Sequence, residues 1–143
     1  MKMIFLVLAL LCTGTINASF KSVTDTGGTL RKKNTAKIQY GTASYYHKKF
    51  HGRKTASGQV YDQAKLTAAH NSLPLNTWVR VTNLRNKRSV IVIINDRLHY
   101  KNQRLVDLSH AAAKKLGYIG RGLTRVKLEV LGKKKPVTVE MGK

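Results

Sequence analysis

Hydrophobic and polar positions alternate along several stretches of the chain, the pattern of a strand with one face buried. Thr77–Thr82 (TWVRVT) sets Trp78 and Arg80 on one face and Val79 and Val81 on the other. Val126–Leu131 (VKLEVL) repeats the alternation, and Ile38–Tyr45 reads as a further strand. Ser89–Ile94 (SVIVII) is instead a continuous apolar run, which predicts a strand buried on both faces. The polar Asn83–Arg88 (NLRNKR) is short enough to join it to Thr77–Thr82 as a hairpin. One helix is predicted over His110–Leu116 (HAAAKKL), with Ser109 as its N-cap, Gly117 at its exit, and Lys114 and Lys115 at its negative end. A second short helix is predicted near Asp62–His70. The sum is a mainly β fold, a small barrel with one or two short helices.

The flanks read differently. Lys2 is followed by the unbroken apolar run Ile4–Cys12 and then by small residues to Ala18, the layout of an export signal over residues 1–18. Cys12, the sole cysteine, offers a lipid attachment site, but Leu11 is large where a lipoprotein signal has a small residue. Cleavage after Ala18 and export to the periplasm or cell envelope are therefore the expectation. Residues 19–37 are rich in Ser, Thr, Gly and Lys and read as a flexible basic linker. The ordered domain is expected over residues 38–131, and residues 132–143 form a basic tail or a last strand near Val137–Met141.

Composition narrows the chemistry. The 143 residues hold 27 Lys+Arg against 6 Asp+Glu, a net charge of +21. Such a charge draws polyanions, either nucleic acid or anionic envelope polymers. No nucleic-acid-binding motif is visible, and export would place the chain away from cellular nucleic acid, so nucleic acid is not expected as the main ligand. One cysteine rules out a disulfide framework and a multi-cysteine metal site. No HExxH, GxSxG, Walker or GxGxxG motif is present, and no residue pattern calls for a metal or a cofactor.

The few acids leave few candidates for proton transfer. Asp25 lies in the linker, Glu129 on the outward side of a strand, and Glu140 near the end. Asp96 follows the apolar strand within NDRLHY and is the strongest candidate, although Asn and Asp there also suit a backbone-bonded turn. Asp107 precedes the helix, where a carboxylate can also serve backbone N–H groups. Asp62 reads as a turn residue. His70 closes LTAAH and is a candidate for orienting a substrate or a carboxylate.

Four strings in order carry a resemblance: GTASYYHKKFHGRKTASGQVYD (Gly41–Asp62), LTAAHNSLPLNTWVRVTNL (Leu66–Leu84), NDR (Asn95–Arg97) and RLVDLSHAAAKKLG (Arg104–Gly117). Together they resemble the rare lipoprotein A (RlpA) family of bacterial envelopes. The resemblance implies a six-stranded double-psi β-barrel and an endolytic lytic transglycosylase. Such an enzyme cuts the β-1,4 bond from N-acetylmuramic acid to N-acetylglucosamine in denuded peptidoglycan strands and leaves 1,6-anhydro ends. It implies Asp96 as general acid and base, His70 as a supporting residue and Asp107 as a second candidate. Gln59, Tyr45, Tyr46, Asn95 and Arg97 are then expected to bind the glycan, with the chain working as a monomer. Two departures stand out. Gln59 occupies the place of a family Glu, and Leu98-His99 replaces a Gly-Pro after NDR. The alternative reading is accordingly a glycan-binding module with little catalysis, like the plant expansins.

Overall fold

Strand β1 (Ile38–Tyr45), β3 (Thr77–Asn83), β4 (Ser89–Asp96) and β6 (Thr124–Gly132) form where alternation or apolar runs predict them. The computed structural model describes residues 36–137. The expected signal, the linker up to Thr35 and the tail from Thr138 lie outside the described residues, as does nearly all of the expected last strand. β3 and β4 make the expected hairpin, with Val79 opposite Val92 and Val81 opposite Val90. All four are buried, and β6 adds Val126 and Leu128 to the same core. Burial of each such side chain contributes on the order of 1.5–3 kcal/mol.

Two expectations are corrected. β4 is not buried on both faces: Val90, Val92 and Ile94 face the core, while Ile91 and Ile93 are half-buried on the outer wall. A closed barrel has one inside, and here the outer wall is only partly covered. The stretch Asp62–His70 is also not a helix. Asp62 accepts the Ala64 amide at 2.9 Å in a turn, and Thr67–Ala69 forms the short strand β2. Ala68 and Ala69 are fully buried between neighbouring strands, so pairing and burial override their helix propensity.

The three-residue β5 (Val106–Leu108) completes a closed barrel in the order β1-β5-β2-β4-β3-β6. β1 with β5 and β2 with β4 run parallel, and every other neighbour pair is antiparallel. Exchanging the first three strands for the last three leaves the pairing unchanged, so the barrel is built from two crossed halves, the double-psi arrangement. Helix α1 (His110–Leu116) is capped as expected. Ser109 Oγ accepts the Ala112 amide, and Gly117 leaves at φ 72° while bonding back to Ala113 and Lys114. Buried Asn83 ties the helix end to the hairpin: it donates to Leu116 O at 3.1 Å and accepts from Thr124 at 2.9 Å.

Candidate active site

Register places the acids. Ala69 pairs with Asp96 on one side and with Asp107 on the other, and Asp107 pairs in turn with Ser44. Paired residues face the same side of a sheet, so Asp96 and Asp107 flank the small Ala69 in one row. Simple alternation after Ile94 would have turned Asp96 inward. A register shift between Ala68 and Ala69 leaves Asn95 as an extra residue and re-aims Asp96, as β-bulges do. The result is a groove of about 610 Å³ that contains both carboxylates.

Asp96 is held from three directions. Its Oδ1 accepts the Ala56 and Arg97 amides, each at 2.8 Å, and its Oδ2 accepts the Tyr46 hydroxyl at 2.7 Å. Tyr46 packs on Phe50 and Tyr61. Burial, then the bond to Asp96, pushes its phenol far above the usual range, so it acts as a fixed neutral donor. Asp107 is engaged differently. Arg104 bonds both of its oxygens, at 2.8 and 2.9 Å, and that pairing raises the guanidinium further. Lys49, Arg53, Lys54 and Arg97 also line the groove.

The remaining expected residues separate by position. Tyr45 borders the groove, but its hydroxyl bonds Ile119 O at 3.0 Å and its ring packs edge-on against Tyr118 and His110. Arg97 Nη1 donates to the carbonyls of His70 and Leu73, each at 2.8 Å, and so pins the turn after β2 to the end of β4. His70 is buried below. Its Nδ1 accepts the Ser72 and Leu73 amides and its Nε2 pairs with Gln39 at 3.2 Å, which fixes a neutral tautomer. Burial, with Arg97 and Lys37, pushes the imidazole down to about 4. Its backbone amide bonds Asp96 O at 3.1 Å, so it meets Asp96 through the backbone and not through its ring. Asn95 and Gln59 bond each other at 3.2 Å and line a different concavity, on the outer wall. Sequence reasoning counted Tyr46 among the glycan-binding residues and missed its bond to Asp96. It also passed over Arg104, whose place three residues before Asp107 was the available signal. Among the described residues no three His, Cys, Asp or Glu side chains cluster as a metal site.

A family profile described as lytic transglycolase matches residues 38–128, the stretch that builds the barrel and both acids. The chain belongs to this family. The chain is 56% identical over 105 residues to a Haemophilus influenzae protein named endolytic peptidoglycan transglycosylase RlpA. That match covers 72% of this chain and 37% of the relative. A Pseudomonas aeruginosa protein of the same name is 58% identical over 89 residues, covering 62% of this chain and 26% of its own. The chain thus spans well under half the length of these curated relatives. Among solved structures, an expansin from Clavibacter michiganensis superposes with TM-score 0.56 at 18% identity, over 71% of this chain and 52% of that one. The Streptomyces papain inhibitor does so with TM-score 0.54 at 22% identity, over 66% and 94%. At these identities the structural likenesses speak for the double-psi barrel alone.

Proposed function

We propose that this chain is an exported, cell-envelope lytic transglycosylase that acts within denuded peptidoglycan strands. It cleaves the β-1,4 bond from N-acetylmuramic acid to N-acetylglucosamine and leaves 1,6-anhydro ends, in wall remodelling and septum separation. The relatives' names support the substrate class. The observation that carries the chemistry is the unequal state of the two acids. Arg104 ion-pairs both oxygens of Asp107, whereas Asp96 meets only neutral donors, two backbone amides and the Tyr46 hydroxyl, and is the acid left for proton transfer.

Hydrolysis by the usual routes needs two working carboxyl groups. Transglycosylation needs one, because the muramic 6-hydroxyl replaces water. The Asp96 carboxyl gives its proton to the glycosidic oxygen as the C1–O bond breaks. The resulting carboxylate then takes the 6-hydroxyl proton while O6 bonds to C1, which closes the anhydro ring and restores the acid. Tyr46 and the two backbone amides hold the carboxyl in place through both steps.

The reading as a binding module with little catalysis depended on Gln59 standing for a lost catalytic Glu. Gln59 lies on the outer wall against Asn95 and does not line the Asp96 groove. That position favours catalysis with Gln59 present. The test is to follow glycan cleavage by Asp96→Asn and Asp107→Asn. Asp96→Asn is expected to lose about 10²–10⁴-fold or more in rate while still binding strands. Cleavage retained by Asp96→Asn and lost by Asp107→Asn would reverse the assignment.

A further inference from the structure

The concavity on the outer wall is the larger of the two, about 980 Å³, and catalysis does not use it. Its floor follows from register. Thr67 pairs with Ile93 and Ile93 with Trp78, one row across β2, β4 and β3, and Arg80 pairs with Ile91 in a parallel row. All face outward, since Val90, Val92 and Ile94 take the inward positions of β4. Trp78, Ile91 and Ile93 therefore present a half-buried apolar floor. Thr67 is only 7% exposed, and among the described residues its hydroxyl has no hydrogen-bond partner. Such a group costs about 1–3 kcal/mol until something bonds it. Lys65, Arg80, Lys115 and Lys135 stand around the floor, against the single acid Asp62. Glu129, opposite Arg80 on β6, is taken by Lys127 at 3.2 Å. Gln59 and Asn95, bonded to each other at 3.2 Å, also line the groove, and Asn95 is the residue next to Asp96.

We propose that this outer groove is a remote subsite for the glycan strand that Asp96 cuts, an inference that rests on the peptidoglycan reading. A sugar ring stacks on the Trp78 face, and one of its hydroxyls bonds Thr67 Oγ1. Removal of stem peptides frees one lactyl carboxylate on each muramic residue, and the four cations meet these carboxylates. Gln59 and Asn95 then lie on the path from the subsite to Asp96, which gives both amides a binding role without a catalytic one. An acidic peptide shares the charge, but the flat indole and the unpartnered hydroxyl favour a sugar.

The test measures binding and cleavage of denuded strands of graded length by the full chain. The variants are Trp78→Ala and a double charge reversal, Lys65→Glu with Lys115→Glu, at two exposed positions that leave the core intact. Each is expected to weaken long-strand binding about tenfold, a loss typical of one well-packed aromatic contact. In the natural chain KM should fall as strands lengthen, and the variants should flatten that dependence with kcat held. Reducing the lactyl carboxylates should weaken binding to the natural chain. Unchanged long-strand binding in both variants overturns the subsite. Competition by polyglutamate as strong as by glycan assigns the groove to an acidic peptide instead. If the natural chain binds strands with this dependence but cuts none, the enzyme reading fails and the subsite stands.

Discussion

Tyr46 shows how one hydroxyl joins packing to chemistry. Its ring is fixed between Phe50 and Tyr61, and its hydroxyl holds Asp96 at 2.7 Å. Tyr46→Phe keeps the ring and removes the donor. A hydrogen bond to a charged group is worth about 1.5–3 kcal/mol, so kcat is expected to fall roughly 10–100-fold with little change in KM. A kcat equal to that of the natural chain would show that Asp96 needs no such support. His70 carries a different signature. Its pKa near 4 in the fold lies below the value of about 6.5 in the unfolded chain. Between those values the unfolded state binds more protons, so stability rises with pH across that window and is lost as pH falls from 6.5 through 4. His70→Asn offers an oxygen to the Ser72 and Leu73 amides but does not titrate there. Urea midpoints at pH 7 and pH 4.5 should therefore differ less in the variant than in the natural chain. An equal difference would contradict a buried neutral imidazole. Asp96 was legible as a candidate because a carboxylate at the end of an apolar strand can be partly desolvated. Its partner Tyr46 was not, because it stands 50 residues away in sequence.

At the scale of elements, what was legible was what repeats. Alternation over six or more residues marked β3 and β6, and capping chemistry marked α1. The three-residue strands β2 and β5 are too short to show a period, and the alanines of β2 favour a helix until neighbours bury them. The β-bulge at Asn95 has no sequence signal apart from its consequence, an acid aimed into a groove. The approach of β1 to the chain entering β5 makes a sharper demand. A Cβ on Gly41 would stand 2.6 Å from Leu105 Cβ, and the Leu105 amide is fixed to Thr42 O at 2.9 Å. Gly41→Ala is expected to cost about 1–3 kcal/mol, as overpacking does, and to lower the melting temperature by several degrees. Asp107 lies two residues beyond Leu105, so cleavage should decline as well. An unchanged melt would mean that the two strands part without penalty.

At the scale of the whole molecule, local patterns implied a small β-barrel but not its crossings. The parallel pairs β1/β5 and β2/β4 join residues far apart in sequence, and the family motifs alone implied that topology. The crossings bring the ends of β1, β4 and β5 to one groove and leave the β2–β4–β3 wall to form the other. Lys49, Arg53, Lys54 and Arg97 line the one and Lys65, Arg80, Lys115 and Lys135 the other, a charge that suits a polyanion at long range. The central claim is that a single carboxyl, Asp96, drives ring closure by the sugar's own hydroxyl. Digestion of denuded strands in heavy-oxygen water, read by mass spectrometry, tests it most directly. The account predicts muramic ends one water lighter than hydrolysis products, free of the label, and absent with Asp96→Asn. Labelled reducing ends, or anhydro ends that persist in Asp96→Asn, would contradict it.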